Sequence, residues 1–226
     1  MKKVICLLAV LLAASGLPAQ ENKNLLSVGV GAAVPMGSVA DSVFTDVDTG
    51  DIKWGKTGGN VEFQYLHFVN ERWAFGMELG AAILTSEEHS FSDSLYIPGY
   101  NPPHVTAEGK LKSKTYSINA MLAGRLHLNP AGKMRFYIPF GAGLSYAELS
   151  LSGHVAFKEA PFKYNGSVEY SDAGPAGYIG LGMELKRTET DLVSLEARYH
   201  MARLKEQEVS ATYKYVTVML KVGGLF

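Results

Sequence analysis

The chain has 226 residues, a formal net charge of −1, one cysteine, 24 glycines and 47% hydrophobic residues. That length suits one domain, the absence of a basic stripe argues against a nucleic-acid surface, and a single cysteine cannot build a disulfide framework. No apolar stretch reaches the roughly 18 residues of a membrane helix, so the hydrophobic content must be distributed, as a transmembrane barrel requires.

Residues 1–19 have the features of a secretory signal peptide. Lys2 and Lys3 precede an apolar run from Val4 to Ala14, and the small residues Ala14-Ser15-Gly16 and Leu17-Pro18-Ala19 follow. That run is too short to span a bilayer as a helix. Cleavage is expected after Ala19, with Gly16 as the alternative. Cys6 lies inside the apolar run with no small-residue cleavage site before it, which argues against a lipid anchor. Removal takes the only cysteine and two of 21 basic residues but none of the 22 acidic ones, so the mature chain, residues 20–226, is acidic.

Eight strands follow from period-two alternation, which places successive side chains on opposite faces. In the first, Leu25–Val34, Leu26, Val28, Val30, Ala32 and Val34 oppose Ser27, Gly29, Gly31 and Ala33. In the second, Gly59–Phe68, Val61, Phe63 and Tyr65 oppose Asn60, Glu62 and Gln64. The third, Trp73–Thr85, sets Phe75, Met77, Leu79 and Ile83 against Gly76, Glu78 and Gly80. The fourth, Lys114–Leu128, sets Tyr116, Ile118 and Leu122 against Asn119, Arg125 and His127. The fifth, Arg135–Leu151, alternates Phe136, Ile138, Phe140 and Leu144 with Tyr137, Pro139, Gly141 and Gly143. The sixth, Ala173–Lys186, opposes Ile179, Leu181 and Met183 to Tyr178, Gly180, Gly182 and Glu184. The seventh, Asp191–Leu204, opposes Val193, Leu195 and Tyr199 to Glu196, Arg198 and His200. The last, Tyr213–Phe226, opposes Val218, Leu220, Val222 and Phe226 to Thr217, Met219 and Lys221.

The connections alternate in length. Val69–Arg72, Asn129–Lys133 and Arg187–Thr190 are short, whereas Gly37–Thr57, Ser86–Ser113 and Ser152–Asp172 are long, with a tighter one at Glu206–Ser210. Short turns on one side and long loops on the other fit an up-and-down transmembrane barrel with periplasmic turns and extracellular loops. From Tyr116 to Leu128 a tilted strand rises about 29 Å, enough for an apolar band of about 25 Å. Phe68, Trp73, Phe136 and Phe226 are expected at the periplasmic rim and Tyr116, Tyr146 and Tyr199 at the far rim, where amphipathic rings are favoured. In the third long connection, the alternation of Val155, Phe157, Phe162, Tyr164, Val168 and Tyr170 is compatible with strands that continue outward as a hairpin.

The inward phase gathers Glu62, Glu78, Glu184 and Glu196 with Arg125, Arg198 and Lys221 near the periplasmic ends of their strands. An eight-stranded barrel is just wide enough for side chains to fill, and buried charges must pair. These residues are therefore expected to form a structural plug, the alternative being a gated ion path. Glycines 29, 31, 76, 80, 141, 143, 180 and 182 leave room for the long side chains.

Val28-Gly29-Val30-Gly31, the Tyr137–Tyr146 segment and terminal Phe226 carry a resemblance to the small eight-stranded outer-membrane β-barrels of the OmpA and OmpX types. The middle segment is like that family's Pro-Tyr-x-Gly-x-Gly pattern but has Phe140 for tyrosine and one residue fewer before the glycines. The resemblance implies an all-β, eight-stranded antiparallel barrel in the bacterial outer membrane, with no residues left for a peptidoglycan-binding domain. It also implies that Phe226 is read as an assembly signal by the insertion machinery, with periplasmic chaperones as earlier partners. Known members include adhesins, envelope-stabilising proteins and barrels for small apolar solutes.

Catalysis and metal binding find little support in the sequence. The segment Arg198-Tyr199-His200-Met201-Ala202 loosely resembles the lipid A deacylases, but Ala202 stands where they have serine, so His200 has no hydroxyl to activate. Asp46-Val47-Asp48-Thr49-Gly50-Asp51 lacks the later acidic ligands of a calcium loop. Asn165-Gly166-Ser167 fits a glycosylation pattern or the tip of a hairpin, and the Tyr96–His104 segment, with three prolines, suits either recognition or a stiff cap. The expectation is a monomeric, non-enzymatic barrel without cofactor, metal or nucleic-acid partner, whose loops meet an extracellular ligand. Passage of small hydrophobic compounds and lipid modification are the alternatives.

Overall fold

The computed structural model describes residues 24–36, 56–96, 101, 104–131, 134–158, 163–206 and 209–226. The expected signal peptide, the Asp46–Asp51 segment and most of the proline-rich segment lie outside the described residues. The elements are β1 (Asn24–Met36), β2 (Lys56–Phe68), β3 (Trp73–Tyr96), β4 (His104–His127), β5 (Arg135–Phe157), β6 (Lys163–Arg187), β7 (Asp191–Glu206) and β8 (Val209–Leu225).

Each strand pairs antiparallel with the next, and β8 returns to β1, closing a barrel. The closing seam runs in unbroken register from Leu25↔Leu225 to Met36↔Lys214. Asn24 finishes it, exchanging backbone hydrogen bonds of 2.8 and 3.0 Å with Phe226. Closure removes the sheet edge that a bilayer could not solvate.

Leu26, Leu79, Ile118, Leu144, Leu181 and Val222 stand exposed on the outside, while Leu25, Ser27, Glu78, Asn119 and Lys221 are buried inside. The outer phase is apolar because it meets lipid, and the inner phase is mixed because it meets only protein. Trp73, Phe136 and Phe226 project outward at the periplasmic rim, as do Tyr146 and Tyr199 at the opposite one. Phe68 differs from the expectation. It shares the phase of Glu62 and Gln64 and is only 6% exposed. Its ring packs at 5.8 Å from His127, beneath the Arg187 guanidinium at 5.3 Å.

Strand lengths divide the barrel in two. β1, β2, β7 and β8 have 13, 13, 16 and 17 residues, whereas β3, β4, β5 and β6 have 24, 24, 23 and 25. The extra length lies on the extracellular side. β3 and β4 stay paired from Glu87↔Ser113 to Tyr96↔His104, β4 and β5 up to Ala107↔Phe157, and β5 and β6 up to Ala156↔Lys163. Most of the expected Ser86–Ser113 loop is therefore strand, and the outward continuation expected for β5 and β6 is present. Asn165-Gly166-Ser167 is not a hairpin tip, since Gly166 pairs with Gly153 inside the ladder.

Candidate functional site

Two regions concentrate chemistry, the charged layer of the lumen and the sheet that rises above it. In the lumen, Arg198 on β7 reaches across the barrel. Its Nη1 donates to Glu62 Oε2 at 2.7 Å and Glu78 Oε2 at 2.8 Å, and its Nε donates to Glu196 Oε2 at 2.6 Å. Lys221 on β8 pairs with Glu62, donates to Gln64 Oε1 at 3.0 Å and lies 3.6 Å from Glu196 Oε1. Arg125 on β4 donates from Nη2 to Glu196 Oε1 at 3.1 Å. All of these side chains are at most 4% exposed, so each charge depends on its partners.

Glu184 stands at the edge of this layer. It meets His127 Nε2 at 3.0 Å, Arg187 Nη1 at 3.3 Å and Arg125 Nη1 at 3.8 Å. The expected lumen residues thus form one central group of Glu62, Glu78, Glu196, Arg198 and Lys221, joined to Glu184 through Arg125. Sequence reasoning did not include the neutral members. Tyr178 donates to Glu78 Oε2 at 2.8 Å, Tyr137 donates to Glu196 Oε1 at 2.7 Å, and Gln64 bonds Glu78 at 2.8 Å. The guanidinium of Arg125 lies 4.0 Å over the Tyr137 ring, and that of Arg198 lies 4.3 Å over Tyr178. The inward phase of Tyr137, Tyr178 and Gln64 was the available signal.

Glycines make these placements possible. A Cβ at Gly141 would collide with the Tyr178 ring and one at Gly182 with the Tyr137 ring, so each phenol lies flat over a neighbouring strand. A Cβ at Gly29 would sit 3.0 Å from Lys221 Cγ.

The charged layer lies between two apolar tiers. Leu25, Leu66, Phe68, Ala74, Ala123, Leu192 and Leu225 pack on its periplasmic side. On the extracellular side, Leu84, Leu149, Leu151, Leu204, Tyr213 and Tyr215 pack together with Ala33, Ala82, Ala147 and Ala202. His200 belongs to this upper region, stacked on Tyr215 at 4.5 Å with Nε2 3.1 Å from Thr217 Oγ1. Among the described residues, no group of three or more His, Cys, Asp or Glu side chains could hold a metal ion.

The protruding sheet has unlike faces. Inward, Ala107, Leu149 and Leu151 are buried, with Leu111 and Tyr170 packed beside them. Outward lie Glu108, Lys110, Lys112, Ser152 and Glu169, all exposed. Glu88 straps β3 to β4 through Lys110 at 2.6 Å and Lys112 at 3.4 Å, and Glu108 binds Lys158 at 2.5 Å. The hydrogen bond from Lys110, then its charge, holds the Glu88 carboxyl below the ordinary carboxylate range.

Residues 5–226 match the model of a family described as outer membrane protein beta-barrel domain. No curated protein matches the chain by sequence. Among solved structures, the chain is similar to the attachment invasion locus protein Ail of Yersinia pestis, with 15% identity over 92% of this chain and 100% of that one, at a TM-score of 0.37. It is also similar to the outer membrane protein OprG of Pseudomonas aeruginosa, with 14% identity, 91% and 97% coverage and a TM-score of 0.43. For the Neisserial surface protein A the values are 10%, 90%, 97% and 0.41.

Proposed function

This chain belongs to the outer membrane protein β-barrel domain family and resides in the bacterial outer membrane, and from that premise we propose that its barrel is a sealed anchor for an extracellular recognition sheet. The observation that carries this reading is the outward continuation of β3, β4, β5 and β6, paired to Tyr96↔His104 and Ala156↔Lys163. At about 3.4 Å per residue the eleven residues after Thr85 add roughly 37 Å of strand. A barrel that served only as a wall would have no use for them.

The lumen supports the anchor half of the reading. Three packed tiers fill it, and opening a path would separate Arg198 from three carboxylates and leave buried charges unpaired. Catalysis is disfavoured because His200 is already held by Tyr215 and Thr217, and residue 202 is alanine. The protein is thus a non-enzymatic barrel whose function is adhesion, ligand recognition or support of the envelope through its outer sheet. Phe226, at the outer periplasmic rim, is the group offered to the insertion machinery.

The test joins β3 to β4 by an Asn-Gly turn in place of residues 88–112 and measures binding of labelled protein to cells and matrix. The expected variant keeps heat-modifiable migration on gels and loses binding; retained binding would contradict the proposal. The apolar upper tier supports a second reading, lateral passage of small hydrophobic compounds. Uptake of such compounds that survives the truncation would favour it.

A further inference from the structure

We propose that the periplasmic mouth of the barrel holds one small monovalent anion of the size of chloride, seated against Arg125 and flanked by Arg135 and Arg187.

The charges of the lumen do not balance from end to end. Glu62, Glu78 and Glu196 face Arg198, Lys221 and Arg125, three carboxylates for three cations. Glu184, at the periplasmic edge of that group, stands beside two further cations. Arg187 Nη1 lies 3.3 Å from Glu184 Oε1. Arg135 is directly opposite Glu184 across β5 and β6, half-buried and in the inward phase of Tyr137. The mouth thus carries one positive charge in excess, before any proton on His127 is counted. The acidic residues of the neighbouring turns do not offset it. Glu71, Glu189 and Asp191 are exposed to screening by salt water, and the Asp191 carboxylate already accepts from Thr188 and Thr190.

Arg125 supplies the donors. Both of its hydrogen bonds leave from Nη2, to Glu196 Oε1 at 3.1 Å and to Gln64 Oε1 at 3.3 Å. Its Nε and Nη1 make none among the described residues, although the side chain is only 1% exposed. Nη1 is 3.8 Å from Glu184 Oε1, beyond hydrogen-bond length. A guanidinium has five N–H donors and no acceptor, and a buried donor left without a partner is costly. Such orphans in folded proteins generally meet an ordered water or an ion. His127, the next inward residue of β4, has Nε2 on Glu184 and likewise no bond at Nδ1 among the described residues.

The excess charge selects an anion over water, because a water would satisfy the donors and leave the buried cation uncompensated. Burial selects a small, singly charged ion, since a multiply charged oxyanion would lose far more hydration on entering. Arg187, 25% exposed and lying over the Phe68 ring, joins the site to the periplasm. An anion here would complete the lower edge of the charged layer and hold Arg125 against Glu196.

The experiment unfolds the whole protein in micelles with urea at constant ionic strength while gluconate is replaced by chloride. The denaturant midpoint should rise with chloride and saturate, as for a ligand of the folded state. Arg135→Gln and Arg187→Gln should each raise the half-saturating chloride concentration at least about ten-fold. Lys186→Gln, an exposed cation of the same strand end, should leave it unchanged. Crystals grown in bromide should show an anomalous peak within hydrogen-bonding reach of Arg125 Nε or Nη1. Heat-modifiable migration confirms folding, and the bromide peak in the wild type decides the matter if the variants do not fold. A midpoint indifferent to chloride, an equal response in all three variants, or density at Arg125 without anomalous signal, meaning water, would each overturn the proposal. A bromide peak with no response in solution would mean an adventitious ion only, and would overturn it as well.

Discussion

Arg198 has bonds to Glu62, Glu78 and Glu196, which makes it the side chain on which the charged layer most depends. Removing one partner from a buried ionic group leaves uncompensated charge. Arg198→Ala should therefore cost about 3–5 kcal/mol of stability, read as a lowered denaturant midpoint for unfolding in micelles; an unchanged midpoint would show that the layer is not structural. Glu88, above the membrane, has a carboxyl lowered from its ordinary 4.5 by the hydrogen bond and charge of Lys110. A lowered carboxyl stabilises above its ordinary value and loses that contribution as pH falls through the lowered one. The carboxylate side of the strap between β3 and β4 thus weakens in acid. Lys110→Ala should move the Glu88 titration seen by NMR back towards 4.5, whereas an unmoved midpoint would contradict the pairing. At this scale the inward phase of all seven lumen charges was legible from alternation, but their partners were not. Tyr137 and Tyr178 complete the layer by lying over Gly182 and Gly141, their direct partners across β5 and β6, a register that alternation alone does not give.

Among the elements, β3 and β4 show where the pattern runs out. Lipid imposes apolar residues on the outer face only within the bilayer. Above it, Ser90, Ser92, Lys110 and Lys112 face water, and the register shift after Leu84 reverses the phase. The segment therefore has the composition of a loop although its backbone is a ladder. β5 and β6 kept enough alternation at Val155, Phe157 and Tyr170 to suggest the hairpin. Phe68 shows the converse error, since an aromatic at a strand end resembles a rim residue until its phase with Glu62 is counted. Limited proteolysis separates ladder from loop. Trypsin should spare Lys110, Lys112 and Lys114 in the folded protein, with fragments identified by mass spectrometry; rapid cleavage there would mean that β4 ends near the membrane.

For the whole molecule, the strand count, the two rims and the membrane-facing surface follow from alternation, because a closed barrel in lipid ties side-chain direction to strand phase. The partner does not follow in the same way, since no comparable constraint acts on the outer sheet. On the proposed reading, the filled lumen moves function to that sheet. The most direct test of the sealed anchor is the conductance of the purified protein in planar bilayers. No discrete channel events are predicted for the wild type. Reproducible ion-conducting openings would contradict it and return function to the barrel interior.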